Sequence, residues 1–106
     1  MREERVINET AKTIPVTATV ISLAVFNGQR AVIILQNTSL AGEIISISIR
    51  SEAKAGQGIV LNPGDKYAAS IDSGYDPSNG QYTAIASAAT ATLSIHEEIN
   101  LNGRNY

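Results

Sequence analysis

Apolar residues fall on every second position along most of this chain, the spacing of a β-strand with one covered face rather than that of a helix. Ile14, Val16, Ala18 and Val20 alternate with Pro15, Thr17 and Thr19. Ile21, Leu23 and Val25 continue on the opposite parity. A one-residue slip turns every side chain to the other face, so a bulge or strand break is expected near Val20–Ile21. Pro15 cannot donate to a ladder, which puts it near a strand end or on an edge. "NGQR", residues 27–30, opens with an Asn-Gly pair that tolerates the positive φ of a tight turn, and a hairpin is expected there. "AVIILQN", residues 31–37, is apolar on both parities, as in a central strand covered on both faces or at a subunit contact. In "EIISISI" Ile45, Ile47 and Ile49 alternate with Ser46, Ser48 and Arg50, giving one dry face and one wet face.

"SEAKAGQG", residues 51–58, reads as a flexible link to a short strand at 59–61. In "VLNPGDKY" the residue before proline is biased toward extended geometry, Pro63 presets φ, and Gly64 supplies the positive φ of a type II turn. "DSGYDPSNGQ", residues 72–81, is the longest stretch rich in turn formers and reads as a projecting loop. "YTAIAS" and "ATLSIHEE" complete the set, with Ala91, Leu93 and Ile95 on one side and Thr92, Ser94 and His96 on the other. About seven or eight short antiparallel strands and no helix result, the inventory of an all-β fold, a small β-sandwich or single jelly roll. The ends lack apolar periodicity, so residues 1–10 are expected as a flexible N-terminal arm, 11–98 as the sandwich and 99–106 as a flexible C-terminal tail.

Composition narrows the function. Ile, Val, Leu and Phe make up about a quarter of the 106 residues, enough for a folded core. The net charge is −2 and the eight basic residues are scattered, which leaves no positive stripe for nucleic acid. There is no cysteine, hence no disulfide framework or zinc thiolate site. The start, "MREERVINET", has no apolar signal core, and no run approaches the roughly 20 apolar residues of a membrane helix. Neither a membrane location nor export is expected.

Candidate chemistry is sparse. His96 is the only histidine; it lies on the polar parity of its strand beside Glu97 and Glu98 and is expected to face solvent or an interface. A metal cupin is excluded: "NPGDKY" has Pro and Gly adjacent, Tyr67 stands at the histidine position, and no His-x-His exists. Asp72, Asp76 and Asn79 could offer oxygens to calcium, but their order does not match an EF-hand and is equally the vocabulary of turns. Asn-x-Ser/Thr sequons occur at Asn8 and Asn37 and, without a signal peptide, are expected to go unused. No catalytic residue, cofactor or metal ligand is assigned. Tyr75, Asp76, Asn79 and Tyr82 are the candidate partner contacts, because exposed tyrosines combine apolar area with a hydroxyl; Tyr82 could equally pack at a strand start.

The order of parts resembles that of small virion proteins of bacterial viruses. The segments that carry the likeness are "RAVIILQNTS" (30–39), "GIVLNPGDKY" (58–67) and "ASAATATLSIHEE" (86–98). The resemblance implies a single jelly roll or related sandwich serving as a capsid vertex, cement or decoration subunit. On that reading the protein is non-enzymatic, is made in the host cytoplasm and resides in the virion. Its partners are other capsid proteins and itself, as a homo-oligomer, a trimer or pentamer at capsid symmetry axes. Two rivals come from other classes. One is a tail, spike or lectin-like recognition module that binds a host surface glycan through residues 72–82. The other is a cupin-like enzyme without its metal, which would need a formed internal cavity.

Overall fold

Period-two burial takes the form of two four-stranded antiparallel sheets packed face to face. The computed structural model describes residues 5–25, 29–74 and 76–100. Its strands are β1 (Arg5–Ile14), β2 (Thr19–Ser22), β3 (Gln29–Asn37), β4 (Ile45–Ile49), β5 (Ile59–Leu61), β6 (Lys66–Ser70), β7 (Tyr82–Ala86) and β8 (Ala91–Asn100), with a 3-10 turn (Ile71–Ser73) after β6. One sheet has the order β1-β8-β3-β6 and the other β2-β7-β4-β5. Of the successive links, only β4 to β5 stays within a sheet, which is the doubled Greek-key path of a single jelly roll. Between the layers lie Ile14, Ile33, Leu35, Leu93 and Ile95 from the first sheet and Ile21, Ile45, Ile47, Leu61 and Tyr82 from the second. Each fully buried isoleucine or leucine contributes about 1.5–3 kcal/mol relative to exposure.

The phase change at Val20–Ile21 is real. The β2–β7 register shifts between Val20 and Ser22, and the alternation from Ile14 to Val20 is further broken at residues 15–18, where the chain leaves β1 for the other sheet. The "NGQR" hairpin does not form: β2 and β3 belong to different sheets, so the link crosses the sandwich, and Asn27 and Gly28 lie outside the described residues. Alternation tells each strand which face to bury but not which strand to pair with. The same holds at "VLNPGDKY". The turn is present, with Asp65 N donating to Asn62 O (2.9 Å) and Gly64 at φ 88°, yet β5 and β6 diverge into separate sheets.

This corner is fastened by Asn37, whose backbone accepts from Gly64 N (2.8 Å) and donates to Asp65 O (3.0 Å). The Asn37 side-chain amide, wholly buried, donates to Glu43 O (2.8 Å) and Leu61 O (2.9 Å). β3 is central, between β8 and β6, and Val32 and Ile34 on its outer face are half-buried. The wet face of β4 is drier than its alternation implies. Residues 51–58 fold back over it, Gly56 N donating to Ser46 Oγ (2.9 Å) and Thr83 Oγ1 to Ser51 O (2.7 Å).

The ends also differ from the sequence expectation. Residues 5–10 are not an arm but the first half of β1, paired rung by rung with β8, which itself extends through Ile99 to Asn100. An edge strand wet on both faces is held by backbone hydrogen bonds and needs no apolar alternation, so its sequence carries no periodic signal. Residues 1–4 and 101–106 lie outside the described residues.

Candidate functional site

The segment from 72 to 82 is the sequence's best candidate for a contact loop; Pro77, Ser78 and Tyr82 are buried in it, whereas Ser73, Gly74, Asp76 and Asn79 are exposed. Tyr82 is fully buried. Its hydroxyl donates to Pro77 O (2.8 Å), and burial, with Tyr67 nearby, pushes its phenol well above the usual range. Asp76 is exposed, and its carboxylate accepts from Ser78 N (3.0 Å), bending the chain back on itself. Asn79 spends its side-chain oxygen on Arg30 N (2.6 Å). Tyr75 lies outside the described residues. Residues 77–82 are therefore a strap over one end of the sandwich, tied down through Ser78, Asn79 and Gly80.

The strap closes over Arg30, a residue that pattern reading passed by. Arg30 is 1% exposed, with all five guanidinium N–H donors engaged. Nε donates to Glu97 Oε2 (2.8 Å). Nη1 donates to Gly80 O (3.0 Å) and to Ser78 O. Nη2 donates to Ser22 Oγ (2.8 Å) and Leu23 O (2.8 Å). Ser22 Oγ in turn donates a hydrogen bond to Glu97 Oε2 (2.5 Å). The guanidinium also lies 5.0 Å from the centroid of the Tyr82 ring, within cation–π range. Every N–H donor of this guanidinium is thus occupied by the protein, while Glu97 of the same cluster also lines a groove at the sheet edge. Among the described residues, no buried side-chain nitrogen or oxygen lacks a partner, and no group of three acidic, histidine or cysteine side chains could hold a metal ion.

What the fold leaves open, among the described residues, are its sheet edges, β1 and β2 on one side and β6 and β5 on the other. β1 and β2 end their respective sheets, and between them runs a groove of ≈ 1060 Å³. One wall is polar, with Asn8, Thr10 and Lys12 of β1; the other is apolar, with Val20, Leu23 and Val25 on the β2 side. Leu23 is 71% exposed and Ile7, on the outer face of β1, 59%. On that outer face His96 sits between two carboxylates, Nδ1 2.9 Å from Glu9 Oε2 and Nε2 2.9 Å from Glu98 Oε2. Glu98 also receives Arg5 Nη1 at 3.0 Å. These bonds raise the histidine pKa above its ordinary value, Glu98 contributing most and Glu9 next. The same contacts, His96 first and then Arg5, hold the Glu98 carboxyl below its ordinary value. His96 thus faces outward as its parity implies, but as the bridge between β1 and β8.

No protein-family model matches the sequence, and no curated protein is significantly similar to it. Among solved structures the chain resembles one described as "Bacillus endospore appendages form a novel family of disulfide-linked pili". The TM-score is 0.53 at 15% sequence identity, over 93% of this chain and 88% of that one. The likeness is one of fold.

Proposed function

We propose that the protein is a non-enzymatic structural subunit that assembles with further copies of itself through its open sandwich edge. The observation that carries this reading is the contrast between two regions. The interior polar groups are consumed internally around Arg30, whereas β1 and β2 are sheet-edge strands with no further strand beside them among the described residues, next to an exposed apolar wall. Unpaired edges template further pairing, and a second copy is the partner always at hand. The solved fold neighbour, by its printed description a pilus subunit, supports the same role. Its disulfide linkage has no counterpart here, because this chain contains no cysteine; cohesion would be noncovalent. A place in a virion, as a vertex, cement or decoration subunit in trimers or pentamers, is the finer form of this proposal and rests on the three segments named above.

Size-exclusion chromatography with light scattering, followed by negative-stain microscopy, tests it. A defined oligomer or polymer is expected, and a clean monomer at tens of micromolar and above would overturn it. The glycan-binding alternative draws no comparable support, since Tyr82 is buried and Asn79 is committed to Arg30.

A further inference from the structure

β1 is bound to its own molecule in an unusual way for so long a strand. Its ten residues pair in unbroken register with β8, from Arg5 opposite Asn100 to Ile14 opposite Ala91. Yet Val6 through Thr13 are all exposed, and only Ile14 is buried in the core. The side-chain ties seen on this stretch run to the same neighbour: Arg5 to Glu98 at 3.0 Å and Glu9 to His96 at 2.9 Å. Beneath it, Asn8, Thr10 and Lys12 overhang the groove instead of packing on β2. The other edge strands are shorter and each anchors residues in the interior, Ile21 in β2, Leu61 in β5 and Ala69 in β6.

We propose that β1 is an exchange strand: in the assembled protein the β8 edge of one copy is occupied by β1 of a second copy, residues 5–14 of one chain pairing with 91–100 of the other. The proposal deepens the self-assembly reading and rests on it. Because the incoming strand has the same sequence, it reproduces the ladder, the Arg5–Glu98 and Glu9–His96 contacts and the seat of Ile14. Exchanged and unexchanged forms then differ only in the path of the link at 15–18 and in the entropy of association. The link already leads away from β8, toward β2 in the opposite sheet, so an outward swing of β1 pivots there without disturbing a shared turn.

Ala11 and Ser94 are ladder partners and neither is buried. In a chain without native cysteine they make clean reporters. The variants Ala11→Cys and Ser94→Cys are to be unfolded together in urea, refolded, allowed to assemble and joined by oxidation or a short thiol–thiol linker. An interchain 11–94 link is expected, on the order of tenfold above a control mixture of Ala11→Cys with Ser48→Cys in the other sheet, as held-together thiols outreact diffusing ones. The double variant Ala11→Cys/Ser94→Cys, oxidised within one chain, should remain monomeric and recover assembly on reduction. If the locked variant assembles as well as its reduced form, exchange is overturned while self-assembly stands. Links formed only between two Ala11→Cys chains would overturn it in favour of edge-to-edge addition. A wild-type monomer would instead remove the self-assembly reading and exchange together.

Discussion

Arg30 and His96 do opposite things with charge. Arg30 is withdrawn from water and satisfied by Glu97, Ser22 and three backbone carbonyls. Removing one member of such a buried set strands the rest, so Arg30→Ala is expected to cost about 3–5 kcal/mol in urea unfolding, and Arg30→Lys less because its cation survives with fewer donors. A loss under about 1 kcal/mol would show that the cluster is dispensable. His96 stays near the surface and titrates. Both of its ring nitrogens face carboxylates, so only the imidazolium can donate to both. The charged or titratable groups facing it are Glu9 from β1 and Glu98 from β8, with Arg5 behind Glu98; β3 presents Ile34 opposite it. Its folded pKa is raised, so the stability it contributes is fully present below the unfolded value and is lost as pH rises through the folded one. Glu98, depressed, contributes above its unfolded value, and that contribution fades as pH falls through the folded one. The β1–β8 tie is therefore firmest from mildly acidic pH up to the histidine titration. Amide exchange, corrected for intrinsic rates, should show β1 protection falling on the order of threefold across that titration, the scale of an exposed ion pair, with β3 unchanged. Equal pH dependence in His96→Gln would refute this assignment. In the sequence His96 is legible by parity. The Arg30 partner is legible only in hindsight: Glu97 shares the parity of Leu93 and Ile95, and a lone acid on the dry side calls for a buried cation.

At the scale of elements, turns and returns carry the constraints. Gly58 lies at φ 77°, and a Cβ there would sit 2.6 Å from the carbonyl oxygen of Ile47, a backbone atom that cannot swing aside. Gly64 also has positive φ, at 88°, but faces open space. Gly64→Ala should accordingly cost about 1 kcal/mol from backbone strain alone, and Gly58→Ala distinctly more, roughly 2–3 kcal/mol, because β4 must move as well. Thermal unfolding of the two variants checks the order, and equal shifts would rule out the close contact as the cause. The turn-former vocabulary marks both glycines. It does not distinguish a free corner from one pressed against a neighbouring strand, because the pressing atom belongs to a residue 11 positions away. Residues 72–82 teach the same lesson: Asp, Asn, Ser and Gly announce a loop, and Arg30 decides that residues 77–82 fold down.

For the whole molecule the sandwich is 46 Å long and 23 by 21 Å across. Its second sheet ends at β2 beside Leu23. Leu23→Glu places a charge on that exposed apolar wall. Monomer stability should change by no more than about 0.5 kcal/mol, since the side chain is 71% exposed, while oligomer mass by light scattering should fall. Unchanged assembly would move the contact surface elsewhere on the protein. The two-layer architecture was legible beforehand because the central strands β3 and β8 bury alternate positions, Ala31, Ile33 and Leu35 in one and Ala91, Leu93 and Ile95 in the other. The ribbon that gives one face of the open edge was not, since β1 buries almost nothing.

Isoleucine-rich alternation, a near-absence of chemistry and well-placed turn formers determine, without coordinates, that this chain makes short strands with one dry face and closes them into two layers. Those are local properties, set by the period of the pleat and the φ each turn requires. Which strand joins which sheet, the sealing of Arg30 beneath its strap, and the pairing of Arg5–Ile14 with β8 were decided only in three dimensions. Each depends on backbone and side-chain groups far apart in sequence satisfying one another, and no periodicity records such a pairing.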